Sequence, residues 1–154
     1  MIVVECNADQ LLMECMGFPK RQIDHAGCKG KVVNRVKKLP KAVGIIDEDP
    51  GSEQPGELKN YKASKTSGTI KFLENKNDKG KCLIQISPDL EHWVLKRAKA
   101  NNIKPKDFSL PDNPKDLHSL TGIKKSKYPN FLIRLIDSDI EIKKMQEWIR
   151  QFIK

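Results

Sequence analysis

The sequence predicts an α/β domain: a mostly parallel sheet flanked by helices, with a helical C-terminal portion. Three observations carry this. The runs Ile2-Val3-Val4 and Ala42-Val43-Gly44-Ile45-Ile46 are continuously apolar, as strands covered on both faces are. The patterns up to residue 46 alternate strand, helix, strand, helix, strand, the order that parallel sheets with right-handed crossovers require. Beyond residue 87 the apolar residues recur mainly at helical spacing.

Taken in order, Ile2 to Cys6 reads as the first strand. Asn7 suits the cap of a helix over residues 8–16, with Leu11, Leu12, Cys15 and Met16 as its apolar stripe and Gly17 as its stop. Gln22 to His25 reads as a short strand, and Gly27-Cys28-Lys29-Gly30-Lys31 as a glycine-bearing turn. Val32, Val33, Val36 and Leu39 then have helical spacing, and Ala42 to Ile46 is the clearest strand. Pro50 to Gly68 is polar and rich in Gly, Pro and Ser, which predicts a loop. Ile70–Leu73 and Cys82–Ile86 flank Asn77-Asp78-Lys79-Gly80 and predict a hairpin. Ser87 then suits a helix cap, with Pro88 in the first position of a helix reaching about Asn101. Further helices are expected around 112–119, around 129–136 and from Asp139 to Phe152, the last with Ile140, Met145, Trp148, Ile149 and Phe152 facing the core.

Composition narrows the function classes. No apolar run approaches the roughly 18 residues that a membrane span needs. The N-terminus lacks the basic and apolar regions of a secretory leader. The cysteines at 6, 15, 28 and 82 form no CxxC pair, which argues against zinc and fits a reducing, cytoplasmic location. The net charge of +9 is uneven: residues 1–91 hold 15 Lys and Arg against 13 Asp and Glu, and residues 92–154 hold 14 against 7. The excess base therefore lies behind an acid-rich half, and a basic surface of this kind attracts polyanions such as nucleic acid.

The acids end strands. Glu5 and Asp9 follow the first strand, and Asp47-Glu48-Asp49-Pro50 closes the clearest one. Ligands of open α/β sheets bind beyond the carboxyl ends of the strands. Residues two apart on a strand point the same way, so Asp47 and Asp49 are expected to converge while Glu48 turns away. Crowded oxygen donors suit Mg²⁺ or Mn²⁺. A charge at Glu5, directly after three apolar residues, is costly without a partner, and a cation at the rim resolves that cost. Read blandly, the same residues are a polar turn and a carboxylate complementing a helix dipole.

Val3-Val4-Glu5-Cys6-Asn7-Ala8-Asp9 resembles the first motif of the Toprim (topoisomerase–primase) fold, a Glu after a β-strand, and Ile45-Ile46-Asp47-Glu48-Asp49 resembles its DxD motif. Gly27-Cys28-Lys29-Gly30-Lys31-Val32 resembles the GGK segment of OLD-type and related Toprim proteins, and the spacing of Glu5 and Asp9 is similar to the OLD-type version. These motifs occupy residues 1–50, about a third of the 154-residue chain. The sequence departs from the pattern at Cys6, where a Gly commonly follows the Glu, and at Cys28, in place of the second Gly. It also lacks the helicase, ATPase and gyrase segments that accompany many Toprim domains.

The resemblance implies one Toprim-like domain over residues 1–154, with a core to about residue 101 and a helical extension over about 102–154. It implies Mg²⁺-dependent phosphodiester chemistry on DNA or RNA, nuclease-like, with Glu5, Asp47 and Asp49 holding one or two metals. Glu5 alternatively acts as general acid or base, and Lys29 offsets charge on the phosphate. Glu91, in the first turn of a helix that follows a strand, is similar to a downstream acidic motif of nuclease-like relatives and joins Asp9 as a further candidate ligand. The alternative is a non-catalytic module that binds nucleic acid or protein, for instance beside a partner ATPase.

Lys31 opens a helix where backbone N–H groups suit phosphate. Lys96, Lys99, Lys124, Lys125 and Lys127 are the candidates for a nucleic-acid surface, presenting the phosphate backbone to the acidic rim. His25 ends a strand near the rim, whereas His92 and His118 read as surface or packing residues in helices. Trp93 and Trp148 fit core positions better than base stacking. A receiver-like phosphoacceptor also places acids at strand ends, and would need a lysine closing a late strand.

Overall fold

A computed structural model describes residues 1–154. The chain forms a six-stranded sheet flanked by helices. Strand β1 (Ile2–Val4) leads into helix α1 (Asn7–Cys15), strand β2 (Ile23–His25), helix α2 (Lys29–Lys38) and strand β3 (Ala42–Asp47). Strands β4 (Tyr61–Ser67), β5 (Ile70–Asn75) and β6 (Lys81–Ile86) follow. Helices α3 (Leu90–Ala100), α4 (Pro114–His118), α5 (Tyr128–Ser138) and α6 (Ile140–Ile153) complete the chain. No helix is long and apolar enough to cross a membrane.

The sheet order is β2-β1-β3-β6-β5-β4. The first four strands are parallel, and β5 and β4 extend the sheet in antiparallel fashion. The chain passes from β1 to β2 on one side and then returns, through α2, to β3 on the other. A topological switch point therefore lies between β1 and β3, the place where open α/β sheets bind ligands.

Alternation along the strands divides the core. Val3, Ala42, Ile46 and Leu83 face α2, where they meet Val32, Val33 and Val36. Ile2, Val4, Val43, Ile45 and Ile84 face the other helices. Gly44 belongs to the α2 face. A Cβ there would lie 2.7 Å from Leu83 Cδ2 and 2.8 Å from Val32 Cγ1, so the absent methyl lets α2 approach the sheet closely. On the opposite face Phe131, Leu132, Leu135, Ile142, Met145 and Ile149 belong to the same apolar cluster as the strands, so the C-terminal helices complete the core. Trp93 and Trp148 are buried there, as their spacing predicts.

Four expectations need correction. Residues 61–67, read as loop, form edge strand β4, where Lys62 to Thr66 are exposed and leave no apolar alternation to recognise. The cap of α3 is Asp89 and not Ser87: the Asp89 carboxylate accepts from His92 N at 2.9 Å, whereas Ser87 donates to Glu48 Oε2. Asn7 lies inside α1, whose cap is Cys6. Ile140 is exposed, and Ile142 takes the buried position expected of it because α6 starts only after the Asp139 cap. The hairpin is as expected, with the Asn75 side chain accepting from Asn77 N and Asp78 N within its turn.

Candidate metal and phosphate site

The four parallel strands end at one rim. β1 delivers Glu5 and β3 delivers Asp47, one on each side of the switch point, and Glu5 Oε1 accepts a hydrogen bond from Asp47 N at 2.8 Å. The chain then turns at Asp49, a non-glycine residue at φ +44°, where Asp49 N donates to Pro88 O at 2.9 Å. That bond joins the turn to the segment after β6, which carries Asp89 and Glu91. Asp9, fully inside the first turn of α1, accepts from Cys6 N at 3.0 Å. Glu5, Asp9, Asp47, Asp49 and Glu91 all line one cleft of about 450 Å³.

The cleft is electrostatically tense. Burial first, and then the neighbouring charges of Asp9, Glu5, Asp49 and Glu91, push the Asp47 carboxyl up to about 9. Burial likewise pushes Asp9 up to about 7, against the relief of its bonds to Cys6. Glu5 is raised by burial and partly restrained by the N–H of Asp47. Burial and the adjacent Asp9 also raise the Cys6 thiol, which removes it as a nucleophile.

Lys29 is buried, but its ammonium is committed elsewhere. It donates to Glu48 O at 2.8 Å and to Gln54 Oε1 at 3.1 Å, and lies 3.9 Å from Asp49 Oδ2. The expectation that it faces a phosphate is corrected accordingly: Lys29 holds up the loop that carries Asp49. Lys31 does not line the cleft; it folds over Gly27, which does, and a Cβ on Gly27 would lie 3.9 Å from Lys31 Nζ.

The other lysines do not gather at the rim. Lys124 pairs with Glu14 at 3.3 Å, seven residues down α1, about 10 Å from the rim at 1.5 Å per residue, and Lys125 and Lys127 follow it on the exposed flank. Lys96 is exposed on α3, six residues beyond Leu90, and Lys99 lines a separate cleft with Asn102 and Lys104. The cation that does enter the acidic cleft is Lys115, on α4.

Two histidines also line the cleft. His118 Nδ1 donates to Glu91 Oε1 at 3.1 Å, and His92 Nδ1 to Asp89 Oδ2 at 2.7 Å. The His92 contact spans one helical turn and is readable as an i, i+3 pair. His118 reaches Glu91 only because α4 lies beside α3, and nothing in its local pattern announces that. His25 bonds through Nε2 to Glu5 O at 3.1 Å.

No group of three or more His, Cys, Asp or Glu side chains is drawn together so that it could hold a metal ion as it stands. The carboxylates line a shared cleft without closing into a cage. β6 ends in Ile86-Ser87-Pro88, so no lysine closes a late strand as a receiver-like phosphoacceptor would need. Comparison with known proteins finds no matching family model, no matching curated protein and no matching solved structure.

Proposed function

We propose that the cleft carries out Mg²⁺- or Mn²⁺-dependent phosphodiester chemistry on nucleic acid, on a Toprim-like plan. The observation that carries this reading is the crowding of Glu5, Asp9 and Asp47 at the switch point, where the carboxyl of Asp47 is pushed up to about 9 by burial and by its acidic neighbours. The donor set is all oxygen at Glu5, Asp47 and Asp49, which suits a hard cation. Mg²⁺ keeps several waters and uses one or two carboxylates together with substrate phosphate, so an open arrangement fits it better than a closed cage. When bound, the ion would supply charge neutralisation at the phosphate and a more acidic water.

The chain's own residues do the rest. Glu5 is oriented by the N–H of Asp47, with the backbone N–H of Lys29 close enough to steady its charge, and its carboxylate lines the cleft. Lys29 fixes Asp49 by holding the carbonyl of Glu48 and the side chain of Gln54, which itself donates to the Asp49 and Ser52 carbonyls. Lys115 lines the cleft beside the acids, Lys31 lies against Gly27 next to it, and the two would take the neighbouring phosphates. Glu91 is oriented by His118 and stays outside the proposed metal set.

Mn²⁺-dependent nicking of plasmid DNA or cleavage of RNA by the purified chain, lost in Glu5→Ala and Asp47→Asn, is the result expected. Absence of nicking together with salt-sensitive nucleic-acid binding would favour the second reading, a non-catalytic Toprim-like binding module. One observation favours that alternative: the ammonium of Lys29 is committed to the loop and is not free for a transition state.

A further inference from the structure

Behind the cleft lies a smaller recess of about 190 Å³ that shares Cys6, Glu91 and His118 with it. Its composition differs sharply from the acidic rim. Ala8, Leu117, Leu120 and Ile123 supply aliphatic walls, contributed by α1, α4 and the segment between α4 and α5. The polar atoms sit at its border: the exposed Asn7, the Glu91–His118 pair, and Tyr128. The Tyr128 hydroxyl is buried and finds no hydrogen-bond partner within the chain. Buried polar groups are normally paired, so an orphaned hydroxyl beside an open recess calls for an explanation. The Tyr61 hydroxyl and Trp93 Nε1 are unpaired as well, but only Tyr128 belongs to the lining of this recess, where a small side-chain shift would let a ligand's own donor or acceptor answer it.

Resting on the phosphodiester reading above, we infer that this recess is a nucleobase pocket, so that the substrate is a single-stranded, frayed or extruded nucleotide and not an intact duplex. A base has apolar faces and a polar edge. The recess combines aliphatic residues with the polar groups of Asn7, Glu91 and His118, and it shares Cys6, Glu91 and His118 with the acidic cleft where the attached phosphate would lie. A base in a continuous duplex is stacked and paired on both sides and cannot enter such a recess, whereas an unstacked base can. The assignment gives the segment from α4 to α5 a task that a covering of the core does not require. It also separates two duties in one site, with charge read at the rim and the base read behind it.

Calorimetric titration separates the pocket from the metal site. With millimolar Mn²⁺ present, thymidine 5′-monophosphate is expected to bind about tenfold more tightly than ribose 5-phosphate, the margin that burial of one base against aliphatic walls supplies. Ile123→Trp fills the recess and should abolish that margin, while leaving the ribose 5-phosphate affinity and the Mn²⁺-induced rise in melting temperature unchanged. Leu120→Trp serves the same purpose should Ile123→Trp fail to fold. Equal affinity for the two phosphates in the wild type, or a margin that survives a folded pocket-filling variant, overturns the inference. Thymidine alone, titrated without metal, separates the two ideas. Binding that Ile123→Trp abolishes, in a protein indifferent to Mn²⁺, would keep the pocket and sink the metal reading. Phosphate binding that ignores the base would do the reverse.

Discussion

The molecule buries carboxylates in two places and treats them in opposite ways. Asp139 and Glu141, at the start of α6, are almost wholly buried. Arg97 reaches both of them, Asn101 donates to Asp139, Ile142 N donates to Asp139 Oδ2, and Thr69 donates to Glu141 through its N–H and its hydroxyl. Nearly every lone pair there is answered, and the cluster ties α6 to α3 and to the β4–β5 turn. At the rim, Glu5 and Asp9 receive backbone or thiol donors, the Asp47 carboxylate receives none, and none of the three forms an ion pair, because the Lys29 ammonium is turned under the loop and reaches Glu5 only through its field. A paired buried charge holds a fold together, whereas an unanswered one stores repulsion that a ligand can release. The difference between the two clusters is the physical argument that one is structural and the other functional.

The sharpest way to break that comparison is to remove the answering charge. Arg97→Met leaves two buried carboxylates unpaired and is expected to lower stability by about 3–5 kcal/mol in urea unfolding. A loss of under about 1 kcal/mol would show that the C-terminal cluster is no better compensated than the rim.

Gly68→Ala probes the same cluster by shape. A Cβ there would lie 2.5 Å from Glu141 Cδ, at a backbone φ of +57°, so a cost of about 1–3 kcal/mol is expected, with the Mn²⁺ response untouched. Thermal unfolding with and without the ion reads both quantities.

The rim should behave in the opposite sense. Asp47→Asn removes a carboxyl whose ionisation the folded state suppresses, so without metal at pH 8, where the unfolded chain would ionise it, the substitution should stabilise the protein by on the order of 1 kcal/mol, discounted for remaining solvent contact. The pH dependence has a definite sign. Asp47 and Asp9 titrate near 3.8 when unfolded but at about 9 and about 7 when folded, so the folded state binds their protons more tightly. Their contribution is therefore favourable below about pH 4 and is lost as pH rises, for Asp9 through about 7 and for Asp47 through about 9. The Mn²⁺-induced shift in melting temperature should accordingly grow from pH 5 to pH 8 in the wild type and shrink in Asp47→Asn. A shift independent of pH, or equal in both proteins, would place the ion elsewhere.

A further effect is expected on nucleic-acid affinity. Lys115→Glu, at the cleft, and Lys31→Glu, beside its Gly27 wall, should each weaken binding to single-stranded DNA by about tenfold and reduce the salt slope by about one. Lys124→Glu, paired with Glu14 on the flank, should do less. The reverse ranking would move the phosphate path from the rim to the flank.

The fold and the acid pair were legible for the same reason. Apolar strands that end in Glu5 and Asp47 declare both a covered sheet and the rim beyond it, and parallel pairing then brings the two ends together. The residues that escaped are those whose meaning depends on packing between distant segments. His118 becomes a partner of Glu91 only through the contact of α4 with α3, and Lys29 reads as a phosphate ligand until its side chain is seen to run beneath residues 48–54. Strand β4 escaped because a lysine-bearing edge has one polar outer border and no alternation. The lysines of the C-terminal half were visible as charge but not as a surface, since helical position and not composition decides which of them approach the cleft.

Gly44 gives the rim a foundation that is out of sight of solvent. It lies three residues before Asp47 on the strand, and its bare Cα lets Val32 and Val36 settle against β3. Lys29 is one helical turn ahead of Val32, so the depth at which α2 seats on the sheet fixes how far the ammonium reaches under Glu48. A single methyl at residue 44 would act as a shim under that helix. The loop bearing Asp49 would be re-levelled from the far side of the sheet, without any change to a residue that lines the cleft.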